Sequence, residues 1–319
     1  MSIPGLAATP IVEIDAPAKL NLSLGVVARR ADGFHEIDSL MVAVTLCDTL
    51  QLSPRPDAEF RLRVTFGGRL ATPEGQALAR DVPEDDRNLA VRAAKALART
   101  AGVTRGLDIG LVKRIPSQAG LGGGSSDAAA VLLAASRVWG LELGHRRLVE
   151  IAAELGSDVP WFLTSGGGIA TGRGERIEPV SGLPDWPVVI AVPAEGLSTA
   201  AVYGGCTPEP DQVGRSMKLA GTMRLGRFEE SLELMHNTLQ AAAVAASPTV
   251  ERLLLSMKTA GAVRPMVTGS GSGCFALTPS EEEALAIANT LSAEGWPGVF
   301  CGRLAPVCRL DQQILAENS

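Results

Sequence analysis

The chain has 319 residues, of which 46% are apolar and 20% charged, and its net charge at neutral pH is −6. This composition is typical of a globular protein, and the length predicts two domains, since domains usually run to roughly 100–200 residues. An acidic chain has no general attraction for nucleic acid or an anionic membrane, so we expect neither as a partner. Anionic ligands must therefore be held by local donors.

The cysteines are scattered and form no C-x-x-C pair; they are Cys47, Cys206, Cys274, Cys301 and Cys308. This spacing predicts neither a disulfide framework nor a zinc site, and it favours a reducing compartment. The N-terminus lacks a basic region followed by an apolar run, and no later segment approaches the ~20 apolar residues of a membrane helix. We expect a cytoplasmic protein that is a monomer or a weak homodimer.

Strand patterns dominate the first part of the chain. After a loose extension at 1–10, alternation with period two predicts strands at 12–14, 20–26, 40–46 and 60–66. In the second of these, the leucines face one side, which places Lys19, Asn21 and Ser23 together on the other. That polar face is either a solvated outer surface or the floor of a site. A long loop is predicted at 67–86.

Helical spacing predicts helices at 88–100 and 146–155, with a strand at 107–111 between them. Gly156 follows the second helix in the position of a C-terminal cap. Asp158 comes directly after it, where an acidic residue is often no more than a turn or cap residue.

The second half alternates strands with helices. The pattern predicts strands at 188–192 and 299–304, helices at 227–246, 248–260 and 281–294, and a strand, glycine loop and strand at 266–277. Such alternation predicts an α+β layout, for which a ferredoxin-like arrangement is the natural expectation.

The segment Pro116-Ser117-Gln118-Ala119-Gly120-Leu121-Gly122-Gly123-Gly124-Ser125-Ser126-Asp127 runs directly into a helical pattern. Glycines allow successive N–H groups to point at one anion, and a helix N-terminus adds further unpaired N–H groups. Ser125 stands where a Walker A loop needs Lys, and also where the dinucleotide fingerprint needs its third Gly. What remains is a plain capped turn or another kind of phosphate loop.

Five segments together resemble the GHMP kinase superfamily over nearly the full length: 16–22 (APAKLNL), 30–35 (RADGFH), 116–130, 155–160 (LGSDVP) and 268–273 (TGSGSG). The resemblance implies the α+β two-domain GHMP kinase fold. It places an N-terminal ribosomal-S5-like α/β domain, which binds ATP, at 1–175. It places a C-terminal ferredoxin-like α+β domain, which helps to bind the substrate, at 176–319.

Lys19 and the 30–35 segment narrow the resemblance to a subfamily acting on a cytidine-diphosphate-linked methylerythritol. The implied reaction is ATP-dependent phosphorylation of the C2 hydroxyl of that substrate, giving its 2-phosphate, in the non-mevalonate isoprenoid pathway. Lys19 and Asp158 match the catalytic pair, Asp158 as general base and Lys19 holding the hydroxyl and the γ-phosphoryl group. ATP with Mg²⁺ is the implied cofactor, and Ser126 is the one metal ligand suggested.

The resemblance also assigns binding residues. The ATP-binding set is Pro116, Gly120, Leu121, Gly122, Gly123, Gly124, Ser125, Ser126, Asn88 and Lys113. The substrate-binding set is Asn21, Phe34, His35, Thr199 and Tyr203, with Phe34 and Tyr203 flanking the cytosine and His35 reading its edge. The third glycine motif comprises Gly269, Ser270, Gly271 and Gly273. Asn88 could instead simply cap its helix, and Tyr203 could be an ordinary core or hinge aromatic.

Two departures from the family pattern and two alternatives stay open. Phe34 stands where the family usually has Tyr, and segment 237–240 lacks two acidic residues that are usual there. The chain could be another GHMP kinase, of homoserine or mevalonate type, although those substrates offer no base for Phe34 and His35 to bind. It could also be a GHMP-fold protein that binds a nucleotide without turnover, although Lys19 and Asp158 argue against this.

Overall fold

The structure is a computed structural model that describes residues 11–79, 82–164 and 166–306. The predicted extension at 1–10 and Cys308 lie outside the described residues. The cysteines within these ranges are free thiols. None of the helices in the same ranges has the length and apolar character needed to cross a bilayer.

A mixed sheet forms the centre of the first half. Its long strand β1 (Val12–Arg29) pairs antiparallel with β2 (His35–Pro54). The sequence predicted two separate strands here, but β1 continues past Pro17, because register shifts on either side of Lys19 accommodate a residue without an N–H donor. The sheet is completed by β3 (Phe60–Phe66), β4 (Leu107–Lys113), β5 (Gly167–Gly172), β6 (Arg176–Pro179) and β8 (His236–Asn237).

Four helices accompany this sheet: α1 (Leu89–Ala101), α2 (Gly123–Val138), α3 (His145–Leu155) and α4 (Val159–Thr164). Buried alanines on α2 let it approach both α1 and the β1–β2 pair closely. Gly156 ends α3 as predicted, but its φ of 173° is extended rather than left-handed, so no glycine-specific cap forms. Asp158 lies in the tight turn between α3 and α4, in agreement with the turn position offered by the sequence, whereas α4 itself was not predicted.

The second sheet contains β7 (Pro187–Val192), β9 (Met266–Val267), β10 (Cys274–Leu277) and β11 (Gly298–Arg303). Its spatial order is β11-β7-β10-β9, and all its pairs are antiparallel. With a helical segment before β9 and a helix between β10 and β11, this is the predicted ferredoxin-like arrangement. The helices are α5 (Thr199–Gly204), α6 (Arg215–Arg224), α7 (Phe228–Leu234), α8 (Gln240–Ala246), α9 (Pro248–Thr259) and α10 (Glu281–Ala293).

The single helix predicted at 227–246 is wrong. It is divided into α7 and α8 by β8, which pairs in parallel with β1 at Ser23 and Leu24. The Asn237 side chain donates to the carbonyls of Val267 and Gly269, so tertiary contacts override the local helical preference.

The two sheets share one core. A single cluster of buried side chains contains Leu20 and Val42 from the first sheet and Ile190 and Phe275 from the second. The predicted domain boundary at 175/176 falls inside the β5–β6 hairpin, and the change of sheet occurs between β6 and β7.

The loop predicted at 67–86 is docked rather than free. Its described part holds two short 3-10 turns, and Leu70 and Leu78 are buried in the shared core. Nε of Arg69 donates to the Pro297 carbonyl at 2.8 Å, and the Leu78 carbonyl accepts the N–H of Ser117 at 3.0 Å. The loop therefore connects the start of the phosphate loop to the turn before β11.

Gly120 lies where the glycine-rich segment 116–127, the phosphate loop, contacts the loop at 268–273, which carries the third glycine motif. Its φ is +73°, and a Cβ there would overlap the Thr268 carbonyl oxygen. We expect Gly120→Ala to lower the free energy of unfolding by about 2–5 kcal/mol, from left-handed strain plus displaced backbone, as measured by urea unfolding. Gly221→Ala in α6, where a Cβ meets open space, is the matched control and should change it by less than about 1 kcal/mol. Equal effects of the two would contradict this account.

Candidate active site

The polar face of β1 is buried. Lys19 is 5% exposed and Asn21 is 4% exposed, so the solvated alternative for this face is wrong. Nζ of Lys19 donates to Oδ1 of Asn21 at 2.6 Å, and Nδ2 of Asn21 donates to Oγ of Ser39 at 2.8 Å. Because Ser39 engages the amide nitrogen, the amide oxygen is held towards the ammonium.

Asp158 is the nearest acidic influence on Lys19. Burial lowers the pKa of Lys19 below the ordinary lysine range, and the Asp158 carboxylate partly opposes that shift. Among the described residues, Asp158 makes no hydrogen bond or ion pair, and its side chain is half-buried. The Lys19 ammonium and the Asp158 carboxylate thus influence each other without a hydrogen bond or ion pair between them.

The phosphate loop packs directly over Lys19. The backbone N–H of Lys19 donates to the Leu121 carbonyl at 2.9 Å. A Cβ on Gly122, whose φ is +72°, would lie 3.2 Å from Cγ of Lys19 and 2.9 Å from the Phe162 ring. Glycine at this position therefore lets the loop approach β1.

Helix α2 begins at the far end of this loop. The first N–H groups of a helix lack intrahelical partners, so the α2 N-terminus is suited to an anion. Gly124 is exposed and Ser125 is partly exposed, which leaves the mouth of the loop open, whereas Pro116 is buried at its start. Ser126 is fully buried, and its hydroxyl has no hydrogen-bond partner among the described residues.

Lys113 lies beneath this loop in a buried cluster with Asp48 and Asp127. Its Nζ donates to Oδ2 of Asp48 and to Oδ2 of Asp127, the latter at 2.9 Å. A Cβ on Gly123 would lie 3.2 Å from this Nζ, so the cluster supports the start of α2. Asp48 also accepts the backbone N–H groups of residues 114 and 115.

Burial shapes the charges of this cluster. Burial alone would lower the pKa of Lys113, but the two carboxylates raise it above its ordinary value. Burial raises the pKa of Asp127 above its ordinary value, and the Lys113 ammonium opposes that shift. The Lys113 ammonium is thus already engaged by two carboxylates where the resemblance suggested a nucleotide contact.

Asn88 is the N-cap of α1. Its Oδ1 accepts the N–H of Ala90 at 2.9 Å, and its Nδ2 donates to the Pro83 carbonyl at 2.8 Å. Both ends of the amide are used in this way, which matches the simpler of the two interpretations offered by the sequence. A nucleotide contact by Asn88 stays a prediction.

The aromatic residues assigned to the substrate lie at the tip of the β1–β2 hairpin and on α5. The rings of His35 and Tyr203 are 5.2 Å apart between centroids. Phe34 is 53% exposed, and the Arg173 guanidinium lies 4.7 Å from its ring centroid. Burial, with a smaller contribution from Asp158, raises the pKa of Tyr203 to about 12. Tyr203 thus experiences the Asp158 charge, as Lys19 does, which relates the hairpin end of the site to the two residues predicted to be catalytic.

The third glycine motif joins these parts together. Oγ1 of Thr268 accepts the N–H of Asn21 at 3.1 Å, and the N–H of Gly273 donates to the Ala119 carbonyl at 3.1 Å. At its outer side, the hydroxyls of Thr199 and Ser270 share a hydrogen bond of 2.9 Å. Gly269 and Gly271 both have positive φ, of 58° and 84°. The motif thus contacts β1 at Asn21, the phosphate loop and α5.

Sequence reasoning missed several residues around this site. Asp48 is 65 residues from Lys113, and nothing in its local pattern indicates the pairing. Ser39 is equally unmarked. Arg173 lies in the segment Gly172-Arg173-Gly174, where a cation between two turn glycines was a usable signal.

The fold and the phosphate-loop geometry define a small-molecule kinase of the GHMP type. A family model described as the GHMP kinases N terminal domain matches residues 88–167, and one described as GHMP kinases C terminal matches residues 216–297. The chain belongs to the GHMP kinase family.

Individual relatives point to one member of that family. A 4-diphosphocytidyl-2-C-methyl-D-erythritol kinase from Exiguobacterium sibiricum is 38% identical over 308 residues, covering 96% of this chain and 98% of the relative. One from Shouchella clausii is 37% identical and covers 87% of this chain and 89% of its own. A crystal structure of 4-(cytidine 5'-diphospho)-2C-methyl-D-erythritol kinase aligns with a TM-score of 0.74 at 33% identity, over 92% of this chain and 99% of that one. A homoserine kinase from Cytophaga hutchinsonii, 18% identical, shares the fold with a TM-score of 0.69.

The buried cluster beneath the loop predicts a large stability effect. Lys113→Met would leave two carboxylates buried without their cation, so we expect it to lower the free energy of unfolding by about 3–5 kcal/mol in urea titrations. Lys95→Met, which removes the exposed ion pair with Asp86, is the matched control and should cost less than about 1 kcal/mol. A Lys113→Met protein as stable as that control would show that the cluster does not support the loop.

Proposed function

We propose that this protein transfers the γ-phosphate of ATP to the C2 hydroxyl of 4-diphosphocytidyl-2-C-methyl-D-erythritol, giving its 2-phosphate. The observation that carries the proposal is the near full-length identity to relatives named for that substrate, at 38% and 37%. The site is consistent with it, since the Lys19 side chain packs against the phosphate loop and the Asp158 carboxylate acts electrostatically on its ammonium. This reaction belongs to the non-mevalonate isoprenoid pathway. The cytoplasmic location and the monomer or weak homodimer stay predictions.

We assign the proton transfer to Asp158 and the charge stabilisation to Lys19. The acceptor is a tertiary alcohol, a crowded and weakly acidic nucleophile, so the enzyme must place it in line and remove its proton. The Asp158 carboxylate accepts that proton as general base. The Lys19 ammonium, oriented by Asn21, donates to the acceptor oxygen and to the γ-phosphoryl oxygens as their charge shifts.

The phosphates of ATP would lie against the amide groups of 120–125 and the N-terminus of α2. Mg²⁺ bound to those phosphates would neutralise part of their charge. The described residues contain no cluster of three or more His, Cys, Asp or Glu suited to a metal. The buried and unpartnered hydroxyl of Ser126 fits an oxygen ligand to that ion.

The cytosine would be recognised at the hairpin end of the site by Phe34, His35 and Tyr203. Phe34 offers a stacking face without the hydroxyl of the usual Tyr, and Arg173 already lies over that ring. Thr199 and Asn21 would lie nearer the erythritol part.

Acceptor choice tests the proposed reaction. We expect the purified protein with ATP and Mg²⁺ to release ADP with the cytidylated alcohol and to show less than about 1% of that kcat/KM with homoserine or mevalonate, because their binding would leave the base-recognising groups unpaired. A coupled ADP assay measures this. Preference for homoserine or mevalonate, or nucleotide binding with no turnover on any of the three, would overturn the proposal.

The role of Asp158 as general base predicts a loss of turnover when its carboxylate is removed. We expect Asp158→Asn to lower kcat at least about 100-fold in the same assay, with ATP affinity little changed. Asp185→Asn, at an exposed carboxylate paired with Arg303, is the control and should retain kcat. Unchanged turnover in Asp158→Asn would exclude Asp158 as the base.

The same pair predicts a pH dependence. Burial lowers the pKa of Lys19, so its ammonium is lost, and kcat falls, as pH rises through a value below the ordinary lysine range of about 10.4. Asp158→Asn removes the negative charge that raises the pKa of Lys19. The titration of the Lys19 side chain, measured by NMR, should therefore move to still lower pH. A shift towards higher pH would contradict the assignment.

A further inference from the structure

We propose that Glu209 is a positioning residue that holds the segment following α5 against β1 and thereby fixes Tyr203 beside His35. The inference rests on the proposed function, because it assigns Glu209 to recognition of the nucleoside end of that substrate. Neither the motifs nor the catalytic pair include Glu209.

The backbone of Glu209 completes an edge of β1. Beyond the short pairing with β8, the N–H of Thr238 donates to the Leu24 carbonyl at 2.9 Å, and the N–H of Glu209 donates to the Val26 carbonyl at 2.7 Å. These bonds pair two backbone carbonyls near the end of β1, shortly before the turn that carries Phe34 and His35. The 205–212 segment thus takes the place of a longer edge strand.

One oxygen of the Glu209 carboxylate ties three pieces of chain together. Nε2 of His236 lies 2.6 Å from Oε2 of Glu209, and Oγ1 of Thr238 donates to the same oxygen at 2.9 Å. That hydroxyl also accepts the N–H of Val26 at 3.2 Å. A hydrogen-bonded carboxylate is a stronger acceptor than a neutral group, even at this half-buried position.

The stretch of chain between α5 and Glu209 connects this anchor to Tyr203. At the end of α5, the N–H of Cys206 donates to the Tyr203 carbonyl at 3.3 Å. Glu209 follows Cys206 only a few residues later in the chain. Further along, Asp38 accepts the N–H groups of Gly214 and Ser216 at 2.8 and 3.0 Å. Glu209 thus anchors the stretch between Tyr203 and the Asp38 contacts, while Thr199 is held separately at the start of α5 by its hydrogen bond with Ser270.

The experiment joins backbone exchange to steady-state kinetics. In Glu209→Ala, hydrogen exchange measured by mass spectrometry should accelerate about 5-fold or more across residues 199–212, because their anchor is lost. The KM for the cytidylated acceptor should rise about 5-fold or more, whereas kcat and the KM for ATP stay within about 2-fold. Glu230→Ala, which removes an exposed pair with Arg227 on α7, is the matched control and should leave all of these values unchanged.

A second substitution separates the hydrogen bonds of Glu209 from the size of its side chain. Glu209→Gln keeps an oxygen that can accept from Oγ1 of Thr238, whereas Glu209→Ala keeps none. Exchange across residues 199–212 and the acceptor KM should therefore change less in Glu209→Gln than in Glu209→Ala. Equal changes in the two variants would contradict an anchor made of hydrogen bonds.

Unchanged exchange in Glu209→Ala would overturn the inference. Faster exchange with an unchanged acceptor KM would overturn it too, since Glu209 would then only stabilise its own loop. Failure of the proposed function is distinguishable, because it appears in the unaltered protein, as absent turnover of the cytidylated alcohol, before any substitution is made.

Discussion

The site depends on a backbone contact between two glycine loops. The phosphate loop and the 268–273 loop approach so closely that the Ala119 carbonyl accepts the N–H of Gly273, and no Cβ fits at Gly120. The 268–273 loop also holds the N–H of Asn21 through Thr268. The 268–273 loop therefore positions the phosphate loop relative to the strand that carries Lys19 and Asn21, and glycine permits the close approach of the two loops.

The parts of the fold that depend on local pattern could be predicted from the sequence. Strand β3 was predicted with its observed bounds, and the ferredoxin-like second sheet followed from the alternation of strands and helices. The break between α7 and α8 could not be predicted, because β8 has two residues and exists only where β1 offers it an edge. The continuity of β1 through Pro17 likewise depends on bulges that alternation does not reveal.

The site was predictable to the extent that its residues lie in motifs. Alternation placed Lys19 and Asn21 on one face, but an outer face and a site floor alternate identically, so burial was decided only by the loop packed over them. The sequence singled out Lys113, yet its two carboxylate partners come from a distant strand and from the following helix. Long-range contacts of this kind leave no local signal, and the hydrogen bond between Glu209 and His236 is another example.

The docking of the 67–86 loop and the pairing of β8 with β1 make the two halves of the chain depend on each other. The first half of the chain supplies Leu70 and Leu78 to a core that the second half completes, and the second half returns β8 to the first sheet. A chain ending after β6 would expose those leucines and leave β1 with an open edge, which is a template for aggregation. Neither half can therefore be replaced independently of the other. Under the proposed function, a change of acceptor would therefore be made by side chains around the hairpin tip and α5, because the backbone framework needs both halves.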